Sequence, residues 1–251
     1  MHILEIGKGR VQTLDSSQYR MSISPAQKGY SDAQLDDTHH LPRRKFIWQP
    51  PLRMKLRART SHPAPLGTLG FGFWNDPFTL SLGQGGAARR LPNAPNALWF
   101  FYGSPPNDMA LDPAVPGHGW KAASLRSPPV PAPLLALPAL AAVALTYLKP
   151  TRRVVMQTAL RFIRAEERLL ETKLDEWHSY ELHWQAGRAT FYVDGEQVHT
   201  AENPPTGPLG FVTWIDNQYA VASPQGGFRF GTLTTQEDQW LEIEGVTIEP
   251  I

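Results

Sequence analysis

The sequence predicts an all-β sandwich carrying one helical insertion, and three observations lead to that class. A composition with 24 Pro, 20 Gly and 8 Trp favours short strands joined by turns over long helices. Residues 52–59, Leu52-Arg53-Met54-Lys55-Leu56-Arg57-Ala58-Arg59, alternate apolar with basic at period two, as a half-buried strand does. Asp194-Gly195 lies between two runs of strand formers and reads as a hairpin turn. At 251 residues and 41% hydrophobic, the chain can bury a core as one domain over 1–251. A net charge of +1 gives no bias toward nucleic acid, so no such partner is expected. The absence of Cys excludes disulfide and thiol chemistry and fits a reducing compartment. The opening Met1-His2-Ile3-Leu4-Glu5-Ile6-Gly7-Lys8 lacks a basic stretch followed by an apolar one; no secretory signal is expected, and the default location is cytoplasmic.

Taken in order, residues 1–30 alternate loosely through Val11, Leu14, Tyr19, Met21 and Ile23 and predict one or two strands. Residues 31–45 are polar, with Asp32, Asp36, Asp37 and the pair His39-His40, and predict a loop. The strand at 52–59 turns four cations outward, which predicts a solvated sheet face rather than an anion site. Strands follow at 69–74, at 78–82 after the turn Asn75-Asp76-Pro77, and at 97–102. Gly83-Gln84-Gly85-Gly86 lacks the Lys-Ser/Thr of a phosphate-binding loop. After the insertion, strands are predicted at 177–184, on both sides of Asp194-Gly195, at 210–215, around Phe228-Arg229-Phe230, and at 240–249.

The insertion is read over 127–174. Residues 127–148 carry no charge over 22 positions, but Pro128, Pro129, Pro131, Pro133 and Pro138 break any helix before Ala139. The remaining apolar stretch, 139–148, gives about 15 Å of helix, too short to span a bilayer. A second, amphipathic helix is predicted over roughly 151–174, with Val155, Ala159, Phe162, Ile163, Leu169 and Leu170 on one side. Residues 149–173 hold seven cations against three Glu, a net +4. Such a segment packs against the sandwich with its arginines in solvent, or serves as a lid or a peripheral membrane contact.

The focal stretch is Gly210-Phe211-Val212-Thr213-Trp214-Ile215-Asp216-Asn217-Gln218-Tyr219, an apolar strand that ends in a polar cluster. Gly70-Phe71-Gly72-Phe73-Trp74-Asn75-Asp76 has the same shape. Two strands that each deliver a Trp and an Asp/Asn pair predict one aromatic-walled cleft, with Asp76 and Asp216 as acid and base. Trp74, Asn75, Trp99, Tyr102, Asp108, Trp214, Asn217, Gln218 and Tyr219 are the candidate ligand contacts, because Trp faces stack on sugar rings and amides bond hydroxyls. His118, between Gly117 and Gly119, is the one histidine kept as a candidate acid/base. His178 and His183 fall on opposite strand faces, and no His/Cys/carboxylate spacing matches a zinc site, so no metal is expected. No Gly-x-Ser-x-Gly nucleophile motif is present.

From Trp177 onward the chain resembles the second half of a concanavalin A-like jelly roll, and most of all the laminarinase-type β-glucanases of glycoside hydrolase family 16. The resemblance rests on Trp177-His178-Ser179-Tyr180-Glu181-Leu182-His183-Trp184 and on Phe191-Tyr192-Val193-Asp194-Gly195, with Arg57-Ala58-Arg59 and Gly70-Phe71-Gly72-Phe73-Trp74 as an earlier pair. It implies a jelly roll with a saccharide ligand. The family's Glu-x-Asp-x-(x)-Glu strand is replaced here by Leu98-Trp99-Phe100-Phe101-Tyr102, so the resemblance does not carry over the usual retaining chemistry. No cofactor is expected; jelly rolls often hold a structural calcium, but no local motif supplies one. Three functions follow: a carbohydrate-active or glycoconjugate-processing protein without the usual acids, an enzyme or carrier for an apolar, lipid- or terpenoid-like ligand with 127–174 as lid or membrane contact, and a non-catalytic lectin-like module.

Overall fold

In the computed structural model, the described residues are 1–39, 41–76, 93–109, 112, 114–129, 154, 155, 158, 162–223 and 227–251. They form two seven-stranded antiparallel sheets packed as a jelly-roll sandwich. Sheet A comprises β1 (His2–Ile6), β4 (Asp32–Asp36), β6 (Thr68–Trp74), β7 (Ala97–Gly103), β8 (Gly119–Arg126), β9 (Arg164–Leu169) and β13 (Gly210–Asp216), in the order β1-β4-β13-β6-β7-β8-β9. Sheet B comprises β2 (Gly9–Asp15), β3 (Gln18–Ile23), β5 (Leu52–Thr60), β10 (His178–Gln185), β11 (Arg188–Val193), β12 (Glu196–Glu202) and β16 (Gln239–Pro250), in the order β12-β11-β10-β5-β16-β3-β2. A separate hairpin pairs β14 (Gln218–Ser223) with β15 (Gly227–Thr232).

Alternation decides which residues enter the core. From β5, Leu52, Met54, Leu56 and Ala58 turn inward to meet Tyr180, Leu182 and Trp184 of β10, and the facing sheet supplies Leu69, Phe71, Phe73, Leu98, Phe100 and Phe211. The aromatic rings interlock edge to face: Phe71 and Phe100 each stand 5.0 Å from Tyr180, at 65° and 64°. Trp184, fully buried, donates its indole N–H to the Pro205 carbonyl at 2.9 Å. The Asp194-Gly195 turn is as expected, with φ of 51° and 82° joining β11 to β12. The cations of β5 are less free than a solvated face implies. Arg59 and Arg20 both bond Glu242, which is 1% exposed, and Arg57 and Arg53 bond Glu244 and Glu249 of the same neighbour strand. Trp177 and Trp240 lie under the guanidinium groups of Arg57, Arg59 and Arg20.

Three expectations are corrected. The polar stretch 31–45 is not all loop: Asp32–Asp36 is β4, paired with β1 on one side and β13 on the other. Its Ala33 and Leu35 enter the core while Asp32, Gln34 and Asp36 point away, so the alternation is of strand type although the composition is polar. Residues 119–126, for which no strand was expected, form β8 beside β7. The helical insertion at 127–174 does not hold as predicted. Val154, Val155, Thr158 and Phe162 have helical backbone, but Arg164–Leu169 is β9, hydrogen-bonded along β8 from Arg126 to Lys121. The arginine spacing suited a helix; pairing with β8 overrides it, and it places Glu167 against Lys121 and the Glu166 carboxylate on the backbone N–H of Glu202. Residues 130–148 of the uncharged run, the strand expected at 78–82 and the loop at 83–86 lie outside the described residues. Among those described, no helix is long and apolar enough to cross a membrane.

Candidate functional site

The face of sheet A turned away from the core carries a second apolar cluster. Directly paired residues of antiparallel strands share a face, so Trp214, Gly70, Phe101 and Lys121 form one row, and Val212, Gly72, Trp99 and Ala123 the next. Trp74, Trp99, Trp214 and Phe101 gather there: Trp99 lies 5.7 Å from Trp74, 5.6 Å from Trp214 and 5.5 Å from Phe101. Ala97, Ala123 and Leu125 belong to the same cluster, with Met109, Ile163 and Ala165 packed on it. Glycines make this possible. A Cβ at Gly70 would stand 2.4 Å from the Phe100 carbonyl oxygen and 3.0 Å from the Trp214 ring, and Gly72, at φ 146°, would meet Leu98 oxygen at 2.3 Å.

A carboxyl pair closes one end of this row. Asp216 of β13 sits directly opposite Asp32 of β4, on the outward face, and both are buried. Asp216 Oδ1 accepts from Thr68 Oγ1 at 2.8 Å, Thr68 N at 3.2 Å and Gln218 N at 3.0 Å, and Oδ2 accepts from the Tyr30 hydroxyl at 3.2 Å. Thr68 Oγ1 in turn accepts from the Trp214 indole N–H at 3.0 Å, linking the pair to the aromatic cluster. Asp32 Oδ1 is buried with no hydrogen-bond partner. Burial raises the Asp216 pKa to about 6 against the pull of its donors. Burial, then the Asp216 and Asp36 carboxylates, holds Asp32 well above the usual carboxylate range, and burial with both aspartates raises Tyr30. On the opposite flank Lys121 and Glu167 pair at 3.4 Å, almost fully buried, and burial lowers the lysine and raises the glutamate.

The predicted site residues separate into those the fold brings together and those it does not. Trp74, Trp99 and Trp214 meet as expected. Asp108, Gln218 and Tyr219 lie at the Asp216 end, where the Asp108 N–H bonds the Ala220 carbonyl at 3.0 Å. Asp76 and Asp216 do not share a cleft. Asp216 pairs with Thr68 at one end of β6, and Asp76 lies two residues past Trp74 at the other end, a strand length of about 20 Å away. Asn75 is structural, donating to Ala94 oxygen at 2.8 Å, while Arg43 holds the Asn75 and Asp76 carbonyls. Asn75 borders a separate cleft of about 290 Å³ whose walls include Arg43, Asn96, Arg126 and Pro205. Tyr102 faces the core, because it alternates with Phe101. Asn217 is a staple, its amide spanning the Gly29 and Leu233 carbonyls and the Ser31 N–H. His118 is exposed at the start of β8, three strands and about 14 Å from Asp216. Sequence reading missed Asp32, Tyr30, Lys121 and Glu167; the period-two spacing of Asp32 against Ala33 and Leu35 was the available signal. Among the described residues, one group of metal-ligating side chains converges: His2, Asp36 and His39.

Residues 158–221 match the model of glycosyl hydrolases family 16. That stretch runs from β9 through β13 into β14 and contains both family motifs read from the sequence, 177–184 and 191–195. No curated protein matches the chain. Among solved structures, it is similar to a sialidase at 9% identity and a TM-score of 0.44, covering 99% of this chain and 16% of that one. It is similar to a Bacillus licheniformis beta-glucanase at 9% identity and 0.45, over 96% and 82%. It is also similar to a laminarinase from Flavobacterium sp. UMI-01 at 11% and 0.46, over 96% and 81%. The family 16 likeness thus rests on residues 158–221, about a quarter of the chain. At β7, the strand on which the family resemblance would place catalytic carboxylates, the outward residues are Ala97, Trp99 and Phe101.

Proposed function

We propose that this chain is a carbohydrate-active jelly roll that holds saccharide rings against the tryptophan face of sheet A and works without a carboxylate pair on β7. The observation that carries the reading is the gathering of Trp74, Trp99, Trp214 and Phe101 on the outward face of its central strands. Indole faces stack on the C–H faces of sugars, and a few polar groups then fix orientation. Asp32, the more strongly raised of the two, is the proton-bearing group of the site and Asp216 its partner, replacing the Asp76–Asp216 pair that the fold pulls apart. Opposed residues on an antiparallel pair stand about 5 Å apart at Cβ, the order of separation of the two carboxyls in a retaining glycosidase. Thr68 and Tyr30 orient Asp216 as a base or acid, and Trp214 ties it to the sugar-binding surface. The test is titration with β-glucan and laminarin oligosaccharides, followed by tryptophan emission and melting temperature. A saturable change that is lost in Trp214→Ala supports the reading; no response to any saccharide overturns it. Reducing-end release that vanishes in Asp216→Asn, with binding retained, identifies Asp216 as a catalytic carboxyl.

A second reading is favoured by Met109, Ile163, Ala165 and Leu125 around the rings. An apolar, lipid- or terpenoid-like ligand suits those neighbours, with 127–174 as its lid or membrane contact. Quenching by a fatty acid but by no saccharide selects it.

A further inference from the structure

We propose that His2, Asp36 and His39 bind a divalent transition-metal ion, Zn²⁺ in the first instance, at the β1 edge of sheet A. The chain folds these three together from distant places. His2 of β1 is the register partner of Asp36 of β4, so the two side chains share the outward face, and His39 follows in the turn that leaves β4. Each offers a ligand atom, and those atoms lie within 4.8 Å of one another. The two imidazole rings stack 3.5 Å apart and 5° from parallel. A metal binds an imidazole nitrogen in the plane of its ring, so at least one of the stacked rings turns about its side-chain torsions to share the ion, over the few ångströms that separate the ligand atoms.

The carboxylate is held as ligating carboxylates are. Asp36 Oδ1 accepts from Thr38 N at 2.9 Å, His39 N at 2.7 Å and Thr38 Oγ1 at 3.2 Å, and Oδ2 accepts from the Gln34 amide at 2.9 Å. These bonds fix its orientation, fix His39 relative to it, and leave a lone pair on Oδ2. Asp36 is 2% exposed, and among the described residues no Lys or Arg pairs with it. A buried carboxylate with no cation beside it is costly, and a bound ion offsets that cost. Both histidines are only half-buried, which leaves the ion a path in and an open coordination position outward. Two imidazoles and one carboxylate with a free position is the ligand set of a reactive rather than a closed structural site. Asp36 shares its outward row with Trp99, three strands away and about 14 Å distant. A hydroxyl- or carboxylate-bearing group at the β1 end of a bound ligand is what the ion would take.

The experiment is calorimetric titration of ZnCl₂ into untagged, EDTA-stripped full-length protein. One Zn²⁺ per chain is expected, with affinity reduced at least about tenfold in His2→Ala and in His39→Ala and unchanged in His62→Ala. Melting in EDTA should be the same for wild type and His39→Ala, which separates ligand loss from unfolding. Zinc-edge absorption of the loaded wild-type protein should show two imidazoles and oxygen. No saturable binding, binding untouched by the His39 change, or a zinc shell lacking two imidazoles each overturns the assignment. The saccharide reading stands or falls separately, since its titrations run equally well on EDTA-treated protein.

Discussion

Asp216 is the residue at which charge, burial and chemistry meet. Its carboxyl titrates near pH 6 because burial disfavours the anion more than Thr68, Gln218 and Tyr30 favour it. A carboxyl whose folded pKa lies above its unfolded value stabilises the fold while protonated. Its contribution is whole below about pH 4 and is lost as the pH rises through 6, the reverse of an ordinary ion-paired aspartate. Wild type should therefore lose stability on the order of 2–3 kcal/mol between pH 4 and pH 7 relative to Asp216→Asn. Urea unfolding of both proteins at a series of pH values measures the difference; parallel curves would refute it. Asp32 shifts in the same direction and deepens the same slope. The sequence offered Asp216 as an acid or base but paired it with Asp76, and Asp216-Asn217 also reads there as an ordinary turn. Which of Asp76, Asp32 or His118 stands beside Asp216 depends on register, and register is a long-range property.

At the scale of elements, period-two patterns were legible wherever one face was apolar. β5, β10, β11 and the central run of β13 were read directly, and so was the hairpin at Asp194-Gly195. β4 was not, because its outward positions are aspartates that the fold buries instead of exposing, and composition masked the alternation of Ala33 and Leu35. β9 was read as helix because Phe162, Ile163, Leu169 and Leu170 fall on one side at helical spacing with Arg164 and Arg168 elsewhere; its strand character comes from β8, which local sequence does not contain. The aromatic site was half legible. The tryptophans were named, while Tyr102 was misassigned by one position of alternation. Two predictions belong here. Gly70→Ala should cost about 1–3 kcal/mol through overpacking and should shift tryptophan emission, since its Cβ would press on Trp214 and on β7. In sheet B, Glu242→Ala leaves Arg20 and Arg59 facing one another without their shared carboxylate, at a cost of about 2–3 kcal/mol. Glu249→Ala, which breaks only an exposed pair, should change stability by under about 1 kcal/mol. Urea midpoints rank the two, and equal losses would show that burial of Glu242 confers nothing.

For the whole molecule, the jelly roll is a way of joining distant parts of the chain. β16 lies between β5 and β3, with β10 beyond β5 and β2 beyond β3. Deleting residues 239–250 would leave a four-stranded piece, β12-β11-β10-β5, and a detached hairpin, β2-β3. That truncation should abolish cooperative thermal unfolding and leave the near-ultraviolet circular dichroism featureless; a sharp transition would show that the halves hold without it. The same placement sets a timetable for the living cell. As the chain emerges from the ribosome, the β2-β3 hairpin and the later four strands each present an unsatisfied edge, and neither can close on the other. Only when β16 appears do the two fragments become one sheet, so until that strand is made both edges stand open to chaperones and proteases.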